Sequence, residues 1–595
     1  MKRLFTSLLI TLTTLTTMAQ GWPAEYEGVM LQGFYWNSFA DTNWANLESQ
    51  ADELSKFFEL IWVPNSAYAN DLSNNMGYHP VYWFDHKSAF GTEAQLRSMI
   101  ATFKSKGTGI IEDVVINHRS SVDANWLNFA KEKYKGVDYQ LTAADICSDD
   151  ESKNSGFNPT GNADTGRPWG GSRDLDHTSA NVKKNVNAYL DCLLNDLGYV
   201  GFRYDFVAGY GAQYVGDYNN TAKTANPNFN YSVGEYWTDE GNGAIINWIE
   251  GTKVNGVIQS AAFDFTMKWN INSVFANATN WSQLNNAALS NNPDYARYAV
   301  TFVDNHDTGP GADNPSGPLY ANIEAANAFI LTMPGTPCVW LKHWQSFKVA
   351  IKKQILVRKA AGIHNQSEIV TKTASSNGYV LNVSGKNGNV LLLLGSATTS
   401  TDGYKLALEG TNYKMYVSNN VDISALDDVK EDEFTAPDFC VVNEGETCAF
   451  FEAPTSYSNV KCWVWNSNCN FTTGSWPGSA CTIVGTNNGK NVWKWTWNGK
   501  CYKPSSTQEI ARNGDPRYII FNGTGFSQTG DLDFANGGYY NQAGACQGIV
   551  TDIEAVRTTP STKDNVIYDL QGRKVSKEQL KKGLYIVNGK KVVIK

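Results

Sequence analysis

Short apolar runs recur along the first two thirds of the chain, at 28–35, 60–63, 109–115, 201–204, 231–234, 261–265, 298–303 and 337–341. Most are of strand length and too short for a helix. Helical periodicity fills the spaces between them. Trp44, Leu47, Ala51, Leu54 and Phe58 recur at spacings of three and four, and Val182, Val186, Leu190, Leu193, Leu194 and Leu197 do the same between the third and fourth runs. Each set marks one face of an amphipathic helix. Strands alternating with helices predict a parallel sheet, and eight such repeats over 22–362 predict an α/β fold, a (β/α)8 TIM barrel.

The pattern breaks in six places. From Arg119 to Arg173 the chain has no strong period and is rich in Asp, Asn, Gly and Ser. A loop that long in a compact domain is usually functional, so a subdomain inserted after strand 3 is expected at 119–173. Beyond the barrel, alternating runs at 379–383 and 390–394 predict a C-terminal β domain over 363–425. An acidic run from Asp427 to Glu433 then marks a boundary, because like charges repel and stay solvated, and 426–456 reads as linker. Residues 457–546 form a β-patterned, tryptophan-rich module, a β-sandwich, and 560–595 a short basic β tail. Residues 1–19 have the layout of a signal peptide: Lys2 and Arg3, then an apolar and Thr-rich run, then Ala19. Export from the cell is the expectation, and no other stretch is apolar for long enough to span a membrane.

Composition narrows the function. A formal net charge of -9 argues against a nucleic-acid partner, which would need a basic footprint. Nineteen Trp, 29 Tyr and 27 Phe suit the apolar faces of sugar rings. In the module, Trp463 and Trp465 are two apart and so share one face of a strand, as do Trp493, Trp495 and Trp497. Burying every one of these rings would overfill so small a sandwich, so some are expected to be exposed platforms. Seven of the ten cysteines follow residue 439, and an exported chain allows disulfides among them.

The candidate chemistry lies where apolar strands break into polar residues: Asp113-Val-Val-Ile-Asn-His118, Gly201-Phe-Arg-Tyr-Asp205, Gly234-Glu235-Tyr-Trp237 and Phe302-Val-Asp-Asn-His-Asp307. A parallel barrel assembles its active site from the C-terminal ends of several strands. Arg203 and Asp205 are two apart and face one side, and an adjacent guanidinium favours an ionised carboxylate, which suits a nucleophile. Glu235 sits among Val233, Tyr236 and Trp237, surroundings that desolvate it and raise its pKa, as a general acid requires. With Asp307 as a third acid, the set has the layout for cleaving a glycosidic bond. Asp113, within its strand rather than at the end, reads as structural.

These four segments resemble, in order and spacing, the signature regions of the α-amylase family, glycoside hydrolase family 13, across 28–363. The segment from Asp174-Leu-Asp-His to Gly198-Tyr-Val-Gly-Phe-Arg-Tyr-Asp is most similar to plant-type and related bacterial members. The resemblance implies Asp205 as nucleophile, Glu235 as acid/base and Asp307 as transition-state stabiliser. It implies His118, Arg203, His306 and the stacking Tyr78 as sugar contacts. It also implies Ca²⁺ where the insert meets the barrel, held by Asn117, Asp164 and Asp174 with the backbone oxygen of Gly209, and that of Arg167 as a further candidate. Ala208 and Gly209 stand where many members carry Lys-His. The module is similar to starch-binding modules of carbohydrate-binding family 26, with Trp463, Trp465 and Trp476 as its platform. The tail, with Ile567-Tyr-Asp-Leu-Gln-Gly-Arg, resembles type IX secretion sorting domains and implies contact with secretion machinery and delivery to the outside or the cell surface. The expected activity is endo-acting α-amylase on starch and other α-glucans. A hydrolase or transglycosylase with a defined short product, and a non-catalytic starch-binding protein, are the alternatives.

Overall fold

The computed structural model describes residues 21–550 except 40, 71, 73–74, 313–314, 431–435, 474, 488, 526–527 and 542–545, together with 567–568, 574–575, 582–587 and 590–594. The signal-peptide stretch 1–19 lies outside the described residues. The chain divides after Lys430 into two compact units.

In the first unit, eight strands close into a parallel barrel: Met30–Gln32, Leu60–Val63, Gly109–Val114, Gly201–Tyr204, Tyr231–Gly234, Ala261–Phe263, Ala299–Phe302 and Thr336–Trp340. Closure is direct, since Leu31 on the first strand pairs with Ile61 on the second and Val339 on the eighth. The expected strands survive with trimmed ends. The run 28–35 contracts to Met30–Gln32, because after Gly33 donates to Trp62 O the chain leaves the sheet for the barrel mouth. The helical face at 44–58 is realised as two short helices, Trp44–Ser49 and Ala51–Leu54, that meet at Gln50. The face at 182–197 starts as Ala180–Asp191 and ends in a wider π-helical turn, Cys192–Leu197, closed by Gly198 at φ 94°. Only glycine adopts that left-handed cap without strain.

The insert opens and closes at one antiparallel pair, His118–Arg119 against Arg173–Asp174. Its hairpin, Glu132–Tyr134 with Val137–Tyr139, is fixed to the barrel side by a buried ion pair of Arg119 with Glu132. The Arg119 guanidinium also lies 4.5 Å over the Trp83 ring. Removing either charge would leave the other buried and unpaired, a loss of about 3–5 kcal/mol. After the barrel comes an all-β part, a five-stranded antiparallel sheet from Ile369–Ala374 to Tyr413–Ser418.

The second unit stacks two sheets into a sandwich. One holds Cys448–Pro454 between Lys490–Thr496 and Gly538–Asn541; the other holds Ser458–Trp465 beside Tyr518–Thr524. Phe451 and Phe521, one from each sheet, stack with centroids 4.5 Å apart in the shared core. The strand Cys448–Pro454 falls inside the stretch expected to be linker, so the module begins earlier than residue 457. Its Ala449, Phe450 and Phe451 are fully buried, which a solvated linker would not allow. The tail contributes a four-stranded sheet of Ile567–Tyr568, Lys574–Val575, Gly583–Val587 and Lys590–Ile594.

Candidate active site

Arg203 organises the barrel mouth. Strand register sets it opposite Asp113 on the third strand and Val233 on the fifth. Its Nη1 donates to Asp113 at 2.6 Å and to Asp205 at 2.8 Å, while Nη2 lies 2.8 Å from Glu235 Oε1. One buried cation thus faces three carboxylates. Full ionisation would leave two uncompensated negative charges out of water, which is prohibitive. Burial accordingly pushes Glu235 up to about 8 and Asp113 up to about 6, against the opposing pull of Arg203. Near neutral pH Glu235 therefore holds a proton that it can give away.

The turn after Asp205 completes the hold on Glu235. Phe206 takes a left-handed conformation, φ 42°, rare for a bulky residue and a form of strain that clusters at functional sites. The turn directs the Phe206 N–H onto Glu235 Oε2 at 3.1 Å. Nucleophile candidate and acid candidate are thereby joined through both a guanidinium and a backbone amide.

A second chain of hydrogen bonds crosses the barrel floor. The Gln32 amide donates to His306 Nδ1 at 2.8 Å, so Nε2 carries the ring proton and donates to the Tyr78 hydroxyl at 2.6 Å. Tyr78 in turn donates to Asp113 Oδ2 at 2.9 Å. Burial, with Arg203 nearby, holds His306 well below its usual range and therefore neutral. His306 Nε2 also lies 3.1 Å from Asp307 Oδ2, and the Asp307 N–H is anchored on Asn305 Oδ1 at 3.0 Å.

Above this floor lies a cavity of about 290 Å³ lined by Tyr78, His118, Asp205, Glu235 and Asp307, all expected site residues, by Trp237, expected only as a neighbour of Glu235, and by Trp36, His79, Trp169 and Phe206, which were not expected there. Arg203 and His306 belong to the floor itself, each 1% exposed, and act on the cavity through the residues they hold. His118 donates to the Tyr78 carbonyl at 2.8 Å, and its ring lies 4.0 Å from that of Trp169. Trp36 stacks on Tyr78 at 5.9 Å and 7°, extending its flat face. Trp36 follows closely on a strand end, as Trp237 does, a signal that could have found it. Trp169 sits in the aperiodic insert, where no pattern points to it.

The expected calcium ligands converge where the insert meets the barrel. Asn117 Nδ2 donates to Asp174 Oδ1 at 3.1 Å, and Arg167 N–H donates to Ala208 O at 2.8 Å, pulling the insert onto the turn after Asp205. A Cβ at Gly209 would fall 2.0 Å from Asn117 Oδ1, so any side chain here would displace the Asn117 carboxamide. Asp164 Oδ2 is buried without a hydrogen-bond partner. Burial and neighbouring acids raise Asp174 to about 8 and also raise Asp164. An orphaned carboxylate oxygen among acids fits a hard cation. Among the described residues no three His, Cys, Asp or Glu side chains form a preassembled cage. The candidate donors are instead a carboxamide, two carboxylates and backbone oxygen, a set that suits Ca²⁺ better than softer metals.

In the second unit, Cys462 and Val464 point inward on the strand Ser458–Trp465, leaving Trp463 and Trp465 on its outer face. Trp476 is 50% exposed, and its ring lies 5.8 Å from Trp463. Trp465 pairs with Tyr518, rings 5.4 Å apart, a fourth aromatic that sequence reasoning missed. Trp493 and Trp495 are core residues. The excess of tryptophan is thus divided between a core and an outer face.

The family description "Alpha amylase, catalytic domain" matches residues 58–343. Probable alpha-amylase 2 of Arabidopsis thaliana is 30% identical over 413 residues, spanning 65% of this chain and 93% of that protein. Alpha-amylase 3, chloroplastic, of the same plant is 27% identical over 65% of this chain and 44% of its own length. Glucan 1,4-alpha-maltotetraohydrolase of Stutzerimonas stutzeri is 28% identical, spanning 62% of this chain and 68% of its own length.

Proposed function

This chain belongs to the alpha-amylase family, and from that premise we propose that it is an endo-acting α-amylase, cleaving internal α-1,4-glucosidic bonds of starch and related α-glucans with retention of configuration. The observation that carries this reading is the single guanidinium of Arg203 shared by Asp205 and Glu235, with Glu235 raised to about 8. Asp205 attacks the anomeric carbon while Glu235 protonates the departing glycosidic oxygen. Glu235, now a base, then takes a proton from water, which displaces Asp205 and returns the enzyme to its starting state. Asp307 stabilises the positive charge that builds on the sugar ring. Tyr78 and Trp36 offer it a flat apolar floor. Calcium, held by Asn117, Asp164, Asp174 and the Gly209 backbone, would supply the positive charge that the buried acids lack and pin the insert beside the cavity.

Trp463, Trp465 and Trp476 are proposed to bind insoluble starch, and the stretches 1–19 and 560–595 to direct export and surface delivery. The experiment is reducing-sugar release from soluble starch by the wild type and by Glu235→Gln with folding verified by circular dichroism. Release by the wild type and its near-abolition in the variant are expected. Equal rates, or none from either, would reject the reading. The resemblance to a maltotetraohydrolase favours one alternative, an enzyme with a defined short product. Product ladders from amylose and maltoheptaose separate it, because endo cleavage gives a mixed early series.

A further inference from the structure

The second unit contains two facing cysteine pairs that neither the fold nor the catalysis explains. Cys462 and Cys481 are in thiol contact, as are Cys469 and Cys501, and all four carry free thiols in this structure. Backbone pairing produces both contacts. The Cys481 N–H donates to Val460 O at 2.9 Å, which sets Cys481 diagonally across from Cys462 on adjacent antiparallel segments. A reciprocal pair of bonds between Asn470 and Tyr502, each 2.9 Å, sets Cys469 diagonally across from Cys501. All four side chains lie in one apolar core and none is more than 7% exposed.

From this placement we propose that Cys462–Cys481 and Cys469–Cys501 are two disulfide sites that brace the tryptophan face of the module. The segment between Cys462 and Cys481 carries Trp463, Trp465 and Trp476, and Cys469 ties the middle of that same segment to the strand at Cys501–Tyr502. The two bonds would fix both ends and the centre of the stretch that presents the rings. The link to starch binding rests on the platform reading above; the pairing itself does not.

Each bond forms by thiol–disulfide exchange with an external disulfide, such as oxidised glutathione. A cysteine thiolate attacks it and releases one thiol. The second cysteine then attacks the mixed disulfide and releases the other thiol. Two protein thiols lose two protons and two electrons, and the external disulfide gains them. Burial raises the Cys501 thiol to about 11, and raises Cys462 as well, so neither is a ready nucleophile once folded. All four thiols are buried, out of reach of an external disulfide, so the exchange belongs to folding, before the core closes.

The test is peptide mapping of the full chain, refolded with and without a glutathione redox buffer, then denatured and alkylated without reductant. Two cross-linked peptides, 462 with 481 and 469 with 501, are expected from the oxidised sample. Alkylation of all four cysteines, or exchange of partners between the pairs, would overturn the proposal whatever the module binds. A second measurement guards against misfolded variants. Dithiothreitol should lower the melting temperature of the oxidised wild-type module transition by on the order of 10 °C, with no such shift in the quadruple variant Cys462→Ala, Cys469→Ala, Cys481→Ala, Cys501→Ala. An unchanged wild-type transition would count against it. Loss of starch binding on reduction, with the mapping as expected, would support the brace; retained binding would confine the bonds to stability and reject the brace.

Discussion

The barrel mouth and the tryptophan face of the second unit both collect aromatic rings, yet they use them in opposite ways. At the mouth, Tyr78 is tied by its hydroxyl to Asp113 and His306 and belongs to a buried charged network. On the module, Trp463, Trp465 and Trp476 are half-buried or exposed, with the Tyr518 ring beside Trp465. Bond cleavage requires a proton donor of altered pKa, which only burial and opposed charges provide. Holding a sugar face requires flat apolar area alone. Substitutions should therefore separate the two regions cleanly.

The largest effect is expected at the carboxylates. Asp205→Asn should lower kcat on maltoheptaose by ~10⁴-fold or more, and Glu235→Gln by about 10²–10⁴-fold. Both should leave retention on insoluble starch unchanged in a pull-down assay. Loss of retention in either variant would break the separation of roles.

Next comes pH. Glu235 must be protonated for the first step, so kcat/KM should fall above an apparent pKa near 8, approaching tenfold per pH unit. A profile flat to pH 10 would contradict the assigned acid. Starch retention, which rests on tryptophan rings that do not titrate, should stay constant from pH 6 to 9.

On the module, replacing Trp463 and Trp476 together with Ala should weaken binding to insoluble starch by about tenfold, from two lost stacking faces. Turnover of a small soluble maltooligosaccharide should stay within about twofold. A matching loss of both would mean that the face serves the cavity rather than a separate surface.

The smallest effect concerns stability. The folded carboxyl of Glu235 is raised to about 8, above its unfolded value near 4.3, so the fold binds the proton more tightly than the open chain does. Stability from this group is lost as pH rises between those two values. Glu235→Gln removes that loss. Its melting temperature should exceed the wild type's by a few degrees at pH 8 and match it at pH 4. An equal difference at both pH values would point to packing instead of charge.

Much of the mouth was legible because a strand has a period of two. Arg203 and Asp205 had to share a side, and strand ends had to gather. Parity does not reveal which strand is the neighbour. The pairing of Arg203 with Asp113 follows from register across the sheet, and that contact is what gives the structural aspartate its place. Trp169 and the turn at Phe206 were hidden for a similar reason, since one lies in an aperiodic insert and the other depends on a left-handed backbone that its side chain disfavours. In the second unit, alternation separated two sets of tryptophans without revealing which set faced inward. Cys462 and Val464, packed against the opposite sheet, decide it.

The central claim is that Asp205 attacks while Glu235 donates, and trapping tests it most directly. Incubation of the wild type with an activated fluoroglycoside that forms the glycosyl-enzyme quickly and hydrolyses slowly, followed by peptide mass spectrometry, should place one glycosyl group on the peptide containing Asp205. An adduct on another residue, or full turnover of the reagent with a β-configured product and no adduct, would contradict the account.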